Sequence, residues 1–197
     1  MAQPEHLLKH LHLTHKDRRP REYLYETEVE SLIQAAKKGR NPIRDQALIL
    51  TCYRHGLRSG EACSLKWSQI DFEASRIHVV RQKGGVDSVH PLRDREIRIL
   101  KRLYKERRTN SPYVFLTNRD EPMNAGAFCK LMLALGTRAG ILMPIHPHQL
   151  RHSTGYKLAN EGVDTRIIQD YLGHSDIRNT VRYTMLSAKK FDNIFNE

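Results

Sequence analysis

The chain is poor in cysteine. Of its 197 residues only Cys52, Cys63 and Cys129 are of this type, odd in number and far apart. That excludes a disulfide-stapled scaffold, and without a C-x-x-C pair there is no zinc or redox motif. The three read as small core residues of a protein kept in a reducing cytosol. Long apolar runs are missing as well: none approaches the ~18 residues that span a bilayer, and the N-terminus lacks an apolar segment with a small-residue cleavage site. A soluble, cytoplasmic protein without a membrane partner is expected. Three further absences bear on chemistry, for the chain has no H-E-x-x-H, no cluster of carboxylates at metal-ligand spacing and no G-x-x-x-x-G-K-[ST] loop. A two-metal nuclease and a nucleotide-driven ATPase are disfavoured. No metal and no cofactor is expected.

What the chain has in excess is positive charge. Lys and Arg number 33 against 22 Asp and Glu, a formal net charge of +11, which points to a polyanionic partner, nucleic acid ahead of a membrane surface. The length suits one domain with a short extension. Residues 1–21 are rich in His, Lys and Arg and end near the breaker Pro20; they read as a basic N-terminal arm. Their histidines His6, His10, His12 and His15 lack the Cys or carboxylate partners that would complete a metal site. Residues 22–197 read as one domain.

Hydrophobic periodicity makes that domain mainly α with a small antiparallel β-sheet, an α+β fold. Val29, Leu32, Ile33 and Ala36 share one helical face, with Thr27 and Glu30 spaced as a capping box and Gly39 as a stop. Asn41-Pro42 opens a second helix that runs to Gly56. Arg76–Val80 and Val86–Val89 are β-rich runs around Gly84-Gly85, a hairpin with Lys83 at its tip. Beyond Pro91 helices are expected over Asp94–Arg107, Ala125–Ala139, Pro147–Glu161, Thr165–Tyr171, Ile177–Tyr183 and Ala188–Phe195, interrupted by an extended run at Tyr113–Leu116.

The densest chemical signal is His146-Pro-His-Gln-Leu-Arg-His152. His148 and Arg151 lie three apart and so face one side of a helix. An arginine fork can hold two phosphate oxygens, and an imidazole beside it can donate a hydrogen bond or move a proton near neutral pH. An isolated H-x-x-R is more often an ordinary surface pair. This one is accompanied by Leu172-Gly-His174, by Tyr183 nine residues further on, by Gly56-Leu-Arg58-Ser-Gly-Glu61 upstream and by Lys83. Together they make a phosphoryl-transfer set in which charge stabilisation comes from side-chain cations.

In these motifs the chain resembles the tyrosine recombinase, or phage-integrase, family from Tyr23 onward: Tyr53-Arg-His-Gly-Leu-Arg58, the hairpin Lys83, His148-Gln-Leu-Arg151-His152, Leu172-Gly-His174 and Tyr183 occur in the family's order. Thr165-Arg-Ile-Ile-Gln-Asp-Tyr-Leu-Gly-His174 and Thr180-Val-Arg-Tyr183-Thr are most similar to the short fimbrial phase-switch invertases. The resemblance implies that Tyr183 attacks a scissile phosphate to give a 3′-phosphotyrosyl bond and a free 5′-hydroxyl, without ATP or metal. It further implies that Arg58 and Arg151 clamp the phosphate oxygens, that His148 is the general base or a further donor, that Lys83 protonates the leaving oxygen and that His174 hydrogen-bonds the phosphate. Glu61 would buttress Arg58, and His152 would support the site. The partners implied are double-stranded DNA with inverted or direct repeats, further copies of the chain in a tetramer on DNA, accessory DNA-bending proteins, and a place in the nucleoid.

Two departures stand out. Most family members carry an N-terminal helical domain that closes a clamp on DNA, whereas only the basic arm precedes the catalytic domain here; either that domain holds DNA alone or a partner completes the clamp. Gly60 interrupts the usual Ser-Glu pair and is expected to loosen the helix start. His55 and His146 read as structural or DNA-facing, and Tyr53, Tyr156 and Tyr171 lack the spacing of Tyr183 from His174. The residues beyond Tyr183, with Ala188, Phe191, Ile194 and Phe195 on one face, either pack on their own domain or dock on a neighbouring protomer. A DNA-binding regulator that keeps the fold without recombining is the rival reading. A type IB topoisomerase shares the chemistry but would relax supercoils without choosing a site.

Overall fold

The computed structural model describes residues 21–82 and 84–185; the basic arm up to Pro20, Lys83 and the segment from Leu186 lie outside the described residues. Helices α1 (Glu26–Lys37), α2 (Pro42–His55), α3 (Ser59–Cys63), α4 (Asp94–Glu106), α5 (Ala125–Arg138), α6 (Pro147–Asn160), α7 (Thr165–Leu172) and α8 (Arg178–Met185) surround a sheet of β1 (Ile70–Asp71), β2 (Arg76–Val79) and β3 (Ser88–Pro91). The strands are antiparallel in the order β1-β2-β3, with Ile77 opposite His90 and Val79 opposite Ser88.

The centre of the molecule is α2, where Ala47 through Tyr53 are all buried. A helix apolar all round must be covered on every side, and α1, α4 and α6 pack on it. It ends at Gly56, whose φ of 56° is left-handed. A Cβ there would lie 2.4 Å from Leu172, so glycine serves both the cap and the close approach of α7.

The expected helices form within one or two residues of their forecast ends, except the stretch after Ala188, which lies outside the described residues. Four local readings are corrected. The cap of α1 sits two residues earlier than Thr27-Glu30: the Glu28 carboxylate accepts the Tyr25 N–H at 2.7 Å, while Glu30 is drawn away to Arg95. The second hairpin strand begins at Ser88, because Asp87 turns back to accept the Arg81 N–H at 2.7 Å and holds 86–87 in the loop. Gly60 does not keep α3 from starting at Ser59; a Cβ there would meet Gln82 Oε1 at 2.5 Å, the far end of a flexible side chain that can swing aside. Cys129 is not in the core: Cys52 and Cys63 are buried, but Cys129 is only half-buried on α5, 3.5 Å from His146 Nδ1.

A buried polar chain ties β3 to α2 and α4. His55 Nε2 lies 2.9 Å from Glu96 Oε1, His55 Nδ1 3.1 Å from His90 Nδ1, and His90 Nε2 2.8 Å from Ser88 Oγ. With the Glu96 carboxylate accepting, His55 donates from Nε2 and accepts from His90, which in turn accepts the Ser88 hydroxyl. His55 is therefore structural and faces no ligand.

Candidate active site

The site collects at the C-terminal ends of α2 and α7, the start of α3, one face of α6 and the inner face of α8. On α6 the usual amphipathic rule fails: residues 149–156 are all buried although Gln149, Arg151, His152, Ser153 and Thr154 are polar. Burying that many polar groups costs stability unless each finds a partner, and the partners define the site.

Arg151 is 1% exposed. Its Nη1 donates to Gly56 O at 2.6 Å and its Nη2 to Leu172 O at 2.7 Å, carbonyls left open by the ends of α2 and α7. Burial, with Arg58 and Arg81 nearby, pulls its pKa down to about 10, so it stays charged at neutral pH. Arg58 caps α3 and donates from Nη1 to Glu61 Oε1 at 2.7 Å. Glu61, 4% exposed, gives its other oxygen to the Arg58 N–H and to Arg81 Nη1, both at 2.9 Å. Burial alone would raise the Glu61 pKa. The Arg58 hydrogen bonds and the Arg81 charge outweigh it, and the net shift is downward.

Tyr183, on α8, is 1% exposed. Its hydroxyl lies 3.0 Å from His152 Nδ1; His148 and His152 meet edge to face with centroids 4.4 Å apart. The phenol ring lies flat on Gly155, where a Cβ would come within 2.6 Å of it. Burial raises the Tyr183 pKa, opposed by Arg151 and Arg182. The same burial, reinforced by surrounding cations, depresses the histidines: His152 to about 3 and His174 to about 4. His148 sits on the outer side of α6, yet desolvation by the groups packed around it, and then the Arg151 and Arg58 charges, lower its pKa too. His174 Nδ1 is 2.9 Å from Thr180 Oγ1, which joins the end of α7 to α8.

Residues 22–190 match the model of the phage integrase family. The chain belongs to that family. It is 41% identical over 184 residues to the type 1 fimbriae regulatory protein FimB of Escherichia coli K12, an alignment covering 91% of this chain and 92% of that protein. The type 1 fimbriae regulatory protein FimE of the same strain is 40% identical over 190 residues, with 90% and 95% covered. The crystal structure of XerA recombinase superposes with a TM-score of 0.75 at 31% identity, over 86% of this chain and 62% of that one. The Tn1549 transposon integrase in complex with circular intermediate DNA shares the fold, with a TM-score of 0.70 at 22% identity over 85% of this chain and 64% of that one. The protein is thus a tyrosine recombinase, an enzyme of site-specific DNA recombination.

Within this recombinase the forecast residues Arg58, Glu61, His148, Arg151, His152, His174 and Tyr183 converge from four segments. Lys83 lies outside the described residues, between Gln82, whose N–H reaches Glu61 Oε1 at 3.2 Å, and Gly84. His146 caps α6 and is exposed, with Gln149 Oε1 accepting its N–H. The rival tyrosines are engaged elsewhere: the Tyr171 hydroxyl donates to Arg54 O at 2.8 Å, Tyr156 is sandwiched between Tyr23 and Tyr183, and Tyr53 packs in the core. One residue escaped the sequence reading. Arg81 is buried at the centre of the arginine group, and nothing in a β-rich run bordered by Gln82 and Lys83 distinguishes it from a solvated strand-end cation. Among the described residues no group of His, Cys, Asp and Glu could hold a metal ion, and no helix is long and apolar enough to cross a membrane.

Proposed function

We propose that the chain breaks and rejoins double-stranded DNA at repeat sites through Tyr183. The observation that carries this reading is the contact of the Tyr183 hydroxyl with His152, on the same helix that supplies His148 and Arg151. The phenolic oxygen attacks phosphorus, the P–O5′ bond breaks, and a 3′-phosphotyrosyl bond and a 5′-hydroxyl result. The reverse attack by a 5′-hydroxyl from another strand reseals the DNA. Because bond energy is conserved, no ATP enters. Arg58 and Arg151 neutralise the non-bridging oxygens as charge builds; Glu61 holds Arg58. His148 takes the phenolic proton, with His152 supporting, His174 donates to the phosphate, and Lys83 protonates the departing oxygen. A buried phenol resists ionisation, so attack requires Tyr183 to leave Gly155 and meet the cationic groups beside the phosphate.

Likeness to FimB and FimE along nearly their whole length supports inversion of a segment between inverted repeats over integration or excision. Residues 1–21 act as a basic arm and 22–197 as the catalytic domain. Copies assemble as a tetramer on nucleoid DNA, with accessory DNA-bending proteins and with the segment beyond Leu186 reaching a neighbour.

A nicked suicide substrate carrying the cognate repeat tests the chemistry. The chain should form a covalent protein–DNA adduct that Tyr183→Phe abolishes. Binding of that repeat with no adduct would overturn the reading in favour of a DNA-binding regulator.

A further inference from the structure

Arg81 has no role in the chemistry just described, yet among the described residues it is the best-connected cation. Its side chain is wholly buried. Nη1 donates to Gly56 O at 3.2 Å and to Glu61 Oε2 at 2.9 Å; Nη2 donates to His55 O at 3.1 Å and to Tyr171 O at 2.5 Å. Only Nε lacks a partner. Arg81 and Arg151 therefore divide the open carbonyls of two helix ends between them, His55 and Gly56 on α2 and Tyr171 and Leu172 on α7, and both reach Gly56 O.

The side chain threads a gap that only glycines leave open. A Cβ on Gly173 would lie 2.7 Å from Arg81 Cγ, and a Cβ on Gly85 would lie 2.9 Å from Arg81 Cβ and 2.7 Å from Gly173 O. Its position also settles the allegiance of Glu61. That carboxylate takes Arg58 on Oε1 and Arg81 on Oε2, while Arg151 Nη1 stands off at 3.9 Å from the same Oε2. Without Arg81 the nearest cation to replace it would be Arg151, and a fixed carboxylate attracts a guanidinium strongly in a poorly solvated site. Arg151 would then turn from its carbonyls toward Glu61, and its charge would be spent within the protein.

We infer that Arg81 is a positioning residue for strand cleavage: by saturating Glu61 and the ends of α2 and α7, it keeps Arg58 and Arg151 aimed at the scissile phosphate. The inference rests on the cleavage reading above. It also assigns a purpose to the pair Gly85 and Gly173, which admit the Arg81 side chain between hairpin and helix end.

The test compares adduct formation on two suicide substrates, one with the natural scissile phosphate and one with a methylphosphonate, whose methyl replaces a charged non-bridging oxygen and so reduces the need for two guanidiniums. Arg81→Lys keeps the charge but loses the planar fork. On the natural phosphate it should cleave about 10²-fold more slowly, the scale of a small misplacement of catalytic groups, with DNA affinity close to that of the unsubstituted chain. On the methylphosphonate the deficit should shrink to less than about tenfold. Gly85→Ala leaves every charge in place and crowds both Arg81 and the Gly173 carbonyl; it gives the same comparison should Arg81→Lys melt early, and it should show the same charge-dependent deficit. An equal deficit on both substrates, or cleavage at the unsubstituted rate, overturns the role of Arg81. If the unsubstituted chain itself forms no adduct on its cognate site, the cleavage reading falls and this inference with it. If that chain cleaves and only the variant pattern fails, the cleavage reading stands.

Discussion

Around Glu61 three guanidinium groups, Arg58, Arg81 and Arg151, crowd one carboxylate; around Tyr183 three imidazoles, His148, His152 and His174, crowd one phenol, and each has its pKa pushed below the ordinary histidine value. The first group keeps charge that no physiological pH removes. The second keeps neutral rings and a protonated phenol, groups that exchange protons when their surroundings change. Fixed charge and proton-exchanging groups thus stand side by side on different residues, with α6 contributing Arg151 to one and His148 and His152 to the other.

The largest effect that would sharpen this contrast is expected in the arginine half. Arg151→Lys removes a fork that spans Gly56 and Leu172, and strand cleavage on a suicide substrate should fall by about 10²–10³-fold, the usual scale for a lost oxyanion donor. That deficit should not vary between pH 6.5 and 8.5. A loss that disappears at one end of the range would mean that the arginine half is not the fixed-charge half.

Next comes the packing of the tyrosine half. Gly155→Ala places a methyl where the Tyr183 ring now lies, and overpacking of this kind costs about 1–3 kcal/mol. The urea midpoint should drop accordingly, while the fluorescence quencher acrylamide or tyrosine nitration should reveal a more accessible Tyr183. An unchanged midpoint would show that the ring is not held against α6.

The smallest effect concerns pH. Folded-state pKa values near 3 for His152 and His90 and near 4 for His174 lie below the unfolded value of about 6.5. The unfolded chain therefore binds more protons in between, so the stability contributed is fully present above about pH 6.5 and is lost as pH falls toward 4 and then 3. Between pH 7.5 and about 5.8 each buried histidine should cost about 1 kcal/mol, read as a falling urea midpoint. His152→Phe should flatten that slope, and Arg151→Lys should leave it as it is. A slope indifferent to His152 would place the titrating groups elsewhere.

Much of this architecture was legible before any coordinates. Helices of eight residues or more announce themselves through period and caps, and motifs at fixed spacing locate Arg58 and His174 at helix ends and His148, Arg151 and Tyr183 within helices. The failures share a cause in tertiary contact. The five-residue α3 and two-residue β1 are too short to carry a period. The start of β3 is set by Asp87 reaching the Arg81 N–H, and the cap of α1 by the competition of Arg95 for Glu30. Arg81 is the clearest case: its burial follows from three carbonyls and a carboxylate brought together by α2, α3 and α7, and no local pattern encodes that.

The bare surface of α6 at Gly155 has a consequence in populations. Burying an aromatic side chain is worth about 1.5–3 kcal/mol, so an outward-facing Tyr183 would occupy roughly one molecule in ten to one in a hundred. A duplex that engages only the outward form then binds more weakly by that same fraction than its contacts alone would give. On the proposed reading the fraction likewise divides the rate of attack by Tyr183, so a glycine that touches no phosphate would set how seldom that attack begins.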